Sequence, residues 1–252
     1  LVAAFGVLLL VAAASVAFGA KSLSLGEVWH GLFRYAGTDT DVVVRDLRLP
    51  RTVLGLLVGA SLGLAGAVMQ ALTRNPLADP GLLGVNAGSA AAVVSGISFF
   101  GVTSTTGLVW FALFGSGVVS VAVYSLGGSR SATPVRLVLA GTAITAALFG
   151  YINAVVLLDT AALDRMRFWT VGSLASANGD VIRQVLPFLA VGMLVALALA
   201  RPLNAIALGD DTARALGAHL TRTRVLAAIA VTLMCGAATA ACGPIVFVGL
   251  MV

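Results

Sequence analysis

Apolar blocks of membrane-spanning length alternate with short polar segments along the whole chain. A spanning helix needs about 20 mostly apolar residues, and the pattern predicts seven complete spans followed by a shorter apolar run. The predicted spans are residues 1–20, 52–72, 82–100, 107–126, 137–158, 185–200 and 225–241, with a partial eighth at residues 245–252. The pattern therefore predicts an all-α polytopic membrane protein. The short last run leads us to expect that the chain is C-terminally incomplete.

Composition agrees with a membrane protein and excludes several other classes. Of the 252 residues, 60% are hydrophobic and 10% are charged, whereas a soluble domain has about 25% charged residues. Lys21 is the single lysine, which excludes a P-loop, because a P-loop needs a lysine directly after a glycine-rich turn. Two cysteines are too few for a disulfide scaffold. We therefore predict that the chain is not an enzyme and hydrolyses no ATP through a motif of its own.

The net charge of +5 would suggest a nucleic-acid partner in a soluble protein. Here the charges cluster between the apolar blocks, which is typical of the loops of a membrane protein. We therefore expect a lipid bilayer around the chain and no nucleic acid. Alternation places seven Lys and Arg residues on the side of residues 74–81, 127–136 and 201–224, against eight on the other side. These counts do not orient the chain, although the denser arginines of the first side favour a cytoplasmic position.

Gly55, Gly59 and Gly63 recur at every fourth position of the second predicted span. On a helix this spacing forms one smooth stripe, on which a neighbouring backbone can pack closely. The sequence therefore predicts a helix-packing face at these three glycines. The alternative is that the same stripe lets the helix slide or tilt against its neighbours during a transport cycle.

The middle of every predicted span lacks Asp, Glu, Lys and Arg. Proton- and sodium-coupled carriers bury an ionisable group on the ion path, so the pattern argues against an ion-coupled secondary transporter, which stays open as the alternative function. His30 and His219 lie in loops on opposite sides and cannot share a metal ion. No Ser-His-Asp or Cys-His arrangement has a credible spacing, and we expect no catalytic residues, no bound cofactor and no metal site.

Three polar segments carry most of the remaining information. Residues 74–88 contain two prolines and form a rigid turn, which is either a tight connector or a constriction at the mouth of a pathway. Residues 208–217 form a short capped helix with an apolar side, which suits either docking to a partner or a position at the membrane interface. Arg48 and Arg51 precede a span and either anchor it to headgroups or dock to acidic residues of another protein.

Ordered motifs along essentially the whole chain resemble those of the FecCD family, the permease subunits of ATP-binding-cassette (ABC) importers for iron–siderophores, haem and vitamin B12. The matching strings are Arg48-Leu49-Pro50-Arg51, Met69-Gln70, Asn75-Pro76-Leu77-Ala78-Asp79-Pro80-Gly81, Leu83-Gly84-Val85-Asn86-Ala87-Gly88, Leu137-Val138-Leu139-Ala140-Gly141, and residues 168–174, 207–217 and 243–250. Their shared order makes coincidence a poor explanation.

The resemblance implies a helical bundle of the type II ABC importer kind, similar to the vitamin B12 permease, with about ten spans per subunit. It implies a second permease subunit, identical or a sister chain, two ATP-binding subunits that use the ATP, and an extracytoplasmic substrate-binding protein. It also implies a multi-pass protein of the bacterial cytoplasmic membrane with a cytoplasmic N-terminus. This chain would hold seven complete spans of the family and part of an eighth.

The resemblance further implies roles for individual residues. The loop 201–224 would be cytoplasmic and would couple to the ATPase subunit through Leu208, Gly209, Asp210, Asp211, Arg214, Leu216 and Gly217. Asn75 and Leu77 match positions that form a cytoplasmic gate. A second gate element has small hydroxyl residues in the vitamin B12 permease, and here only Thr133 keeps a hydroxyl. Arg48 and Arg51 match arginines that pair with glutamates of the binding protein.

The string from Ala78 to Gly88 resembles most the ferric-enterobactin-type branch of the family. The implied function is therefore transport of a ferric siderophore by alternating access. Haem or a cobalamin is the alternative substrate for the same kind of permease. Because the iron would travel inside its chelator, the resemblance implies no metal ligands in the permease itself.

Overall fold

The computed structural model describes residues 2–127, 134–175, 177–217, 219–245 and 248. Within these ranges every regular element is a helix, which confirms the predicted all-α class. In chain order the elements are α1 Val2–Ala17, α2 Leu25–Phe33, α3 Asp39–Val42, a π-helical turn Val43–Arg48, α4 Leu49–Thr73, a 3-10 turn Pro80–Leu83, α5 Val85–Phe100, α6 Thr105–Leu126, α7 Pro134–Leu158, α8 Thr160–Val171, α9 Gly179–Ala198, α10 Ala200–Ala207, α11 Asp210–Ala215 and α12 Leu220–Cys242.

Helices overlap each of the seven complete spans that the hydrophobic pattern predicts. Five helical segments of the described chain are long and apolar enough to cross a membrane: Asp39–Thr73, which joins α3, the π turn and α4, Thr105–Leu126, Val135–Leu158, Gly179–Ala198 and Leu220–Cys242. The apolar helices α1 and α5 are shorter, with 16 residues each. The predicted partial span 245–252 lies outside the described residues except for residues 245 and 248.

The start of α9 follows a capping residue and not the edge of the apolar run. α9 begins at Gly179, well before residue 185, because the Asn178 side chain accepts a hydrogen bond from the Val181 N–H at 2.8 Å. Such a cap satisfies a backbone donor that the first helical turn leaves free. The predicted loop 201–224 is also largely helical, since it contains α11, most of α10 and the start of α12.

Two long-range hydrogen bonds show which connecting segments lie together at each end of the bundle. The Arg74 side chain, directly after α4, donates to Asp210 of α11 at 3.1 Å. At the opposite end, the Arg165 side chain of α8 donates to the Val102 carbonyl between α5 and α6 at 3.1 Å. Both contacts agree with the predicted alternation of the loops. We refer to the two ends as the α11 end and the α8 end.

α12 forms the centre of the bundle and packs on α4, α5, α6 and α9. Many of its buried side chains are small, including Ala227, Ala230, Ala237 and Ala238. Small residues let helices approach closely, and this packing is a main source of helix association in lipid. The high alanine and glycine content is thus used at the centre of the bundle.

The backbones of α5 and α6 approach each other closely at Gly88 and Gly115. A side-chain carbon added to Gly115 would collide with the Gly88 carbonyl, and one added to Gly88 would collide with the Gly115 carbonyl. Gly236 of α12 faces the Ser116 side chain of α6 at a similarly short distance. These three glycines are therefore positions at which a side chain would push helices apart.

At Gly55 and Gly59, the predicted glycine stripe of α4 does not take part in such close packing. A carbon added to Gly59 would meet no atom within 4 Å, and one added to Gly55 would meet only the tip of Leu174 at 3.2 Å. Gly63 is half-buried. The described residues therefore show no close backbone contact at Gly55 or Gly59, because a different face of α4 turns to the core, and the packing role of Gly63 stays a prediction. The larger side chains of that face are Leu54, Val58, Leu62 and Met69.

α2 is a short amphipathic helix at the α8 end. Ser24 and Glu27 form a capping box at its start, and hydrogen bonds from Ser24 hold the pKa of the Glu27 carboxyl below its usual range. One face packs on α1 and the π turn. The opposite face exposes Leu25, Trp29 and Phe33 at every fourth position, with the two aromatic rings 4.3 Å apart. The helix therefore carries an apolar stripe that the described chain does not cover.

Candidate functional site

The predicted coupling segment folds into two short helices at the α11 end. α10 and α11 meet at Gly209, whose φ of 118° is a conformation that favours glycine. Ile206 of α10, Ala213 of α11 and Leu220 of α12 form a small buried cluster of their own. The segment is therefore a packed unit and not an irregular loop.

Two large apolar side chains of this unit remain on the surface. Leu208 is 70% exposed and Leu216 is 66% exposed, and they flank α11 in sequence. Gly217, with a φ of 79°, follows as the residue that turns the chain away. A short helix flanked by two exposed leucines offers apolar surface to another protein.

Asp210, at the start of α11, connects three elements. Its Oδ1 atom accepts a hydrogen bond from Arg74 Nη2 at 3.1 Å. Arg224 Nη2, from the first turns of α12, donates to the Asp210 Oδ1 and Oδ2 atoms at 3.0 and 2.8 Å. One carboxylate thus holds the end of α4 and the start of α12 on the coupling unit. We call Arg74, Asp210 and Arg224 the ionic node.

Asp211 and Arg214, the other charged residues predicted for coupling, do not belong to this node. The Arg214 Nη1 atom donates to the Asp211 Oδ1 atom at 3.1 Å within the same short helix. The Asp211 side chain is 99% exposed. Such a solvent-exposed pair contributes at most about 1 kcal/mol, so Asp211 and Arg214 form an outer charged surface of α11.

The predicted gate residues lie in the turn next to the ionic node. Arg74 ends α4 in the left-handed conformation, with a φ of 53°. The Asn75 side chain then accepts a hydrogen bond from the Leu77 N–H at 2.9 Å, which tightens the turn. Leu77 projects from it and is 74% exposed. The structure therefore places Asn75 and Leu77 together at the α11 end, while Thr133 lies outside the described residues.

The rest of this turn is anchored in the bundle. Gly84 has a φ of 71° where the 3-10 turn passes into α5. Gly141 of α7 lies directly against the Leu82 carbonyl, so closely that a side chain would not fit. The Thr239 hydroxyl of α12 donates to the Asn86 side chain at 2.8 Å. The turn is therefore fixed on one side and free at Leu77.

α7 presents an open, uncharged face on which small and weakly polar residues lie among the exposed side chains of Leu139, Phe149 and Leu157. Thr142, Ala146, Gly150 and Asn153 are exposed and share one side of the helix at three- and four-residue spacing. The Thr142 hydroxyl donates to the Val138 carbonyl of its own helix at 3.0 Å, which leaves the face weakly polar. No residue from 137 to 158 is charged. A face of this kind can border a passage without binding a charged solute tightly.

At the α8 end, Arg48 is buried and not available for docking. Only 3% of the residue is exposed. Its guanidinium donates to the Val16 carbonyl at 3.0 Å, to the Ala17 carbonyl at 2.6 Å and to the Lys21 carbonyl. These bonds satisfy carbonyls that the end of α1 leaves free. The prediction that Arg48 docks a binding protein is therefore replaced by a structural role, because the side chain already has partners inside the chain.

Arg51 is only partly buried, and its Nη2 atom donates to the Ser15 carbonyl at 3.0 Å. Arg45, one turn before Arg48, is exposed and lies over the Tyr35 ring at 5.1 Å. Sequence reasoning assigned no site role to Arg45, Arg74 or Arg224, because arginines that flank spans look alike in a linear sequence. Their different surroundings appear only in the fold.

The described residues contain no group of three His, Cys, Asp or Glu side chains that could hold a metal ion. Cys235 and Cys242 are both buried free thiols.

A bundle of apolar helices with a packed polar unit at one end is the architecture of a multi-span membrane protein, and comparisons with known proteins identify it as a permease. The sequence profile of the FecCD transport family matches residues 7–252. The ferric enterobactin transport system permease protein FepD of Escherichia coli is 45% identical over 246 residues, which are 97% of this chain and 74% of FepD. The probable siderophore transport system permease protein YfiZ of Bacillus subtilis is 34% identical over 98% of this chain and 74% of its own.

The fold gives the same result. A solved structure of a transporter assigned to the metal-chelate ABC type, in an inward-facing conformation, matches with a TM-score of 0.82 and 28% sequence identity. The match covers 97% of this chain and 76% of that chain. This chain belongs to the FecCD transport family. It is a permease subunit of an ABC importer and not itself an enzyme, and such a subunit works with an ATPase component and a substrate-binding component.

Proposed function

We propose that this permease carries a ferric siderophore of the enterobactin type across the bacterial cytoplasmic membrane by alternating access. The names of its relatives support the cargo, since FepD and FepG belong to ferric enterobactin systems and FhuB of Bacillus subtilis to an iron(3+)-hydroxamate system. FepD has a higher identity to this chain, 45%, than FhuB, 38%, or FepG, 33%.

The observation that carries this proposal is the open face of α7. A ferric siderophore is bulky, and its iron is already enclosed by the chelator. Its passage therefore needs a smooth wall and no metal ligands from the protein. Thr142, Ala146, Gly150 and Asn153 supply small, weakly polar and uncharged surface of this kind.

The α11 end would face the cytoplasm, and α11 would be the coupling helix. Leu208 and Leu216 would seat against the ATPase subunit, while Asp211 and Arg214 would lie at the rim of that contact. Asn75 and Leu77 would form the adjacent gate. Because α1 begins at the same end of the bundle, the N-terminus would also be cytoplasmic.

The complete assembly would contain a second permease subunit, identical or a sister chain, two ATP-binding subunits that use the ATP, and an extracytoplasmic binding protein. That protein would dock at the α8 end, with Arg51 as the remaining predicted contact and the exposed Arg45 beside it. Charge pairs at the rim of an interface increase the rate of association more than its strength.

The test measures uptake by the complete protein and its partner subunits in bacteria that lack other permeases of this family. Ferric enterobactin, a ferric hydroxamate, haem and a cobalamin are supplied in radiolabelled form with their binding proteins. We expect uptake of ferric enterobactin that stops when the ATPase subunit is inactivated. Uptake of haem or cobalamin alone would contradict the cargo, and uptake that persists without the ATPase would contradict the mechanism.

A further inference from the structure

We infer that Asp210 is the positioning residue that transmits movement of the coupling helix to α4 and α12 together. This inference rests on the proposed role of α11 in contacting the ATPase. It goes further because it names the link between that contact and the gate, and it separates Asp210 from Asp211, its neighbour in sequence.

The first observation is the geometry of the ionic node. Asp210 faces two arginines from two different long helices, at 3.1 Å from Arg74 and at 3.0 and 2.8 Å from Arg224. The side chains are 31%, 40% and 20% exposed, respectively. Partly buried charge pairs are screened less by salt than exposed ones. The carboxylate therefore joins α11 to both helices under physiological conditions.

The second observation is the backbone at Arg74. This residue is the one non-glycine position of the described chain with a positive φ, at 53°. The residue that ends a helix in this conformation is usually glycine, because a side chain costs free energy there. An arginine at this position directs a long cationic side chain to the coupling unit. The ion pair of Arg74 with Asp210 explains why an arginine occupies a position at which glycine would cost less conformational free energy.

The third observation concerns the segments to which Arg74 and Arg224, the two arms of the ionic node, belong. Arg74 lies directly before Asn75 and Leu77, so one arm ends at the predicted gate. Arg224 lies near the start of α12, the helix at the centre of the bundle, which packs on α4, α5, α6 and α9. A displacement of α11 would therefore pull on the gate turn and on the central helix at once.

The outer pair provides an internal comparison. Among the described residues, Asp211 and Arg214 pair with each other on the solvent side of α11. Removing the Asp211 charge leaves both arms of the node in place. Removing the Asp210 charge frees both arms but leaves Leu208 and Leu216 on the surface. Substitutions at Asp210 and at Asp211 can therefore distinguish transmission of movement from contact with the ATPase subunit.

The experiment uses the complete importer in lipid nanodiscs and compares Asp210→Asn with the control Asp211→Asn. Three quantities are measured: retention of the ATPase subunit, basal ATP hydrolysis, and stimulation of hydrolysis by the loaded binding protein. We expect Asp210→Asn to retain the ATPase subunit and its basal hydrolysis and to lose stimulation by about tenfold, within the range typical of coupling between sites. Asp211→Asn changes only the exposed rim of the ATPase contact, so it should at most slightly weaken retention of the ATPase subunit while stimulation per bound ATPase is kept. Asp210→Glu should restore part of the stimulation that Asp210→Asn loses.

Stimulation that is unchanged in Asp210→Asn would overturn the inference. Loss of the ATPase subunit from that variant would also overturn it, because Asp210 would then support contact and not transmission. If Asp210→Asn fails to insert, Arg74→Gln, which removes one arm, provides the same comparison. The proposed function has its own control: a Leu208→Asp and Leu216→Asp double variant that still binds the ATPase would contradict the role of α11, whatever Asp210 does.

Discussion

The guanidinium of Arg48 lies beneath the end of α1 and donates a hydrogen bond to the Val16 carbonyl at 3.0 Å. Two further carbonyls, those of Ala17 and Lys21, accept from the same side chain. A cation at a helix C-terminus also interacts favourably with the helix dipole. Arg48 therefore fastens the first helix to the long helix that contains α4, although its position beside Arg51 suggests a surface role in the sequence.

We predict that Arg48→Ala destabilises the protein. The three carbonyls lose their donor, and an unpaired buried acceptor costs about 1–3 kcal/mol. The measurement is thermal unfolding of the detergent-solubilised protein. Arg45→Ala is the matched control, since Arg45 is exposed and loses only a contact with Tyr35, worth about 0.5–1 kcal/mol at an exposed site. Equal melting temperatures for the two variants would contradict the structural role of Arg48.

Gly115 gives a prediction about packing between α5 and α6. Gly115→Ala places a carbon against the Gly88 carbonyl, and overpacking of this kind costs about 1–3 kcal/mol. Gly117→Ala lies two residues further on the same helix, where an added carbon meets nothing within 4 Å. We expect a lower melting temperature for the first variant only. A similar loss in both would show that helix flexibility, and not close contact, is the reason for glycine.

α2 gives a prediction about the membrane interface. Its exposed Leu25, Trp29 and Phe33 suit the boundary between headgroups and acyl chains, where aromatic side chains are enriched. A nitroxide label at Trp29→Cys should be more accessible to oxygen than to a water-soluble nickel complex. A label at the exposed Asp39 should show the reverse. If both labels prefer the nickel complex, α2 lies in water and its stripe faces another partner.

The open face of α7 gives a prediction about transport. Ala146→Phe places a bulky ring on this face, and we expect siderophore uptake to fall close to background while the assembled importer is retained. Val118→Phe on α6 is the control, because Val118 is also exposed but lies on a different helix. Uptake is measured at equal protein levels in membranes. Normal uptake by Ala146→Phe would remove this face from the passage.

The hydrophobic pattern predicted the class of protein and the approximate place of every described long helix. This succeeds because a helix in lipid must satisfy its own backbone and cover about 20 residues with apolar side chains. The same pattern gave the wrong start for α9 and missed α2 and α8. Hydropathy does not register a cap such as that of Asn178, nor a short helix between two spans.

The packing of individual residues could not be inferred in this way. Gly55, Gly59 and Gly63 have the spacing of a packing stripe, yet Gly88 and Gly115 make the close contact. Spacing shows that residues share a face of a helix, but it does not show which helix lies opposite. That choice depends on how several helices pack around α12 at the same time.

The sequence by itself determined the membrane class, the alternation of loops between two ends and, through its motifs, the family of the chain. Each of these depends on local composition or on a short string read in order. Only the tertiary structure decided that Arg48 is buried, that Asp210 and not Asp211 faces Arg74, and that Arg224 joins them. Asp210 and Arg74 are 136 positions apart, and no local pattern encodes a contact that exists only after the helices have packed.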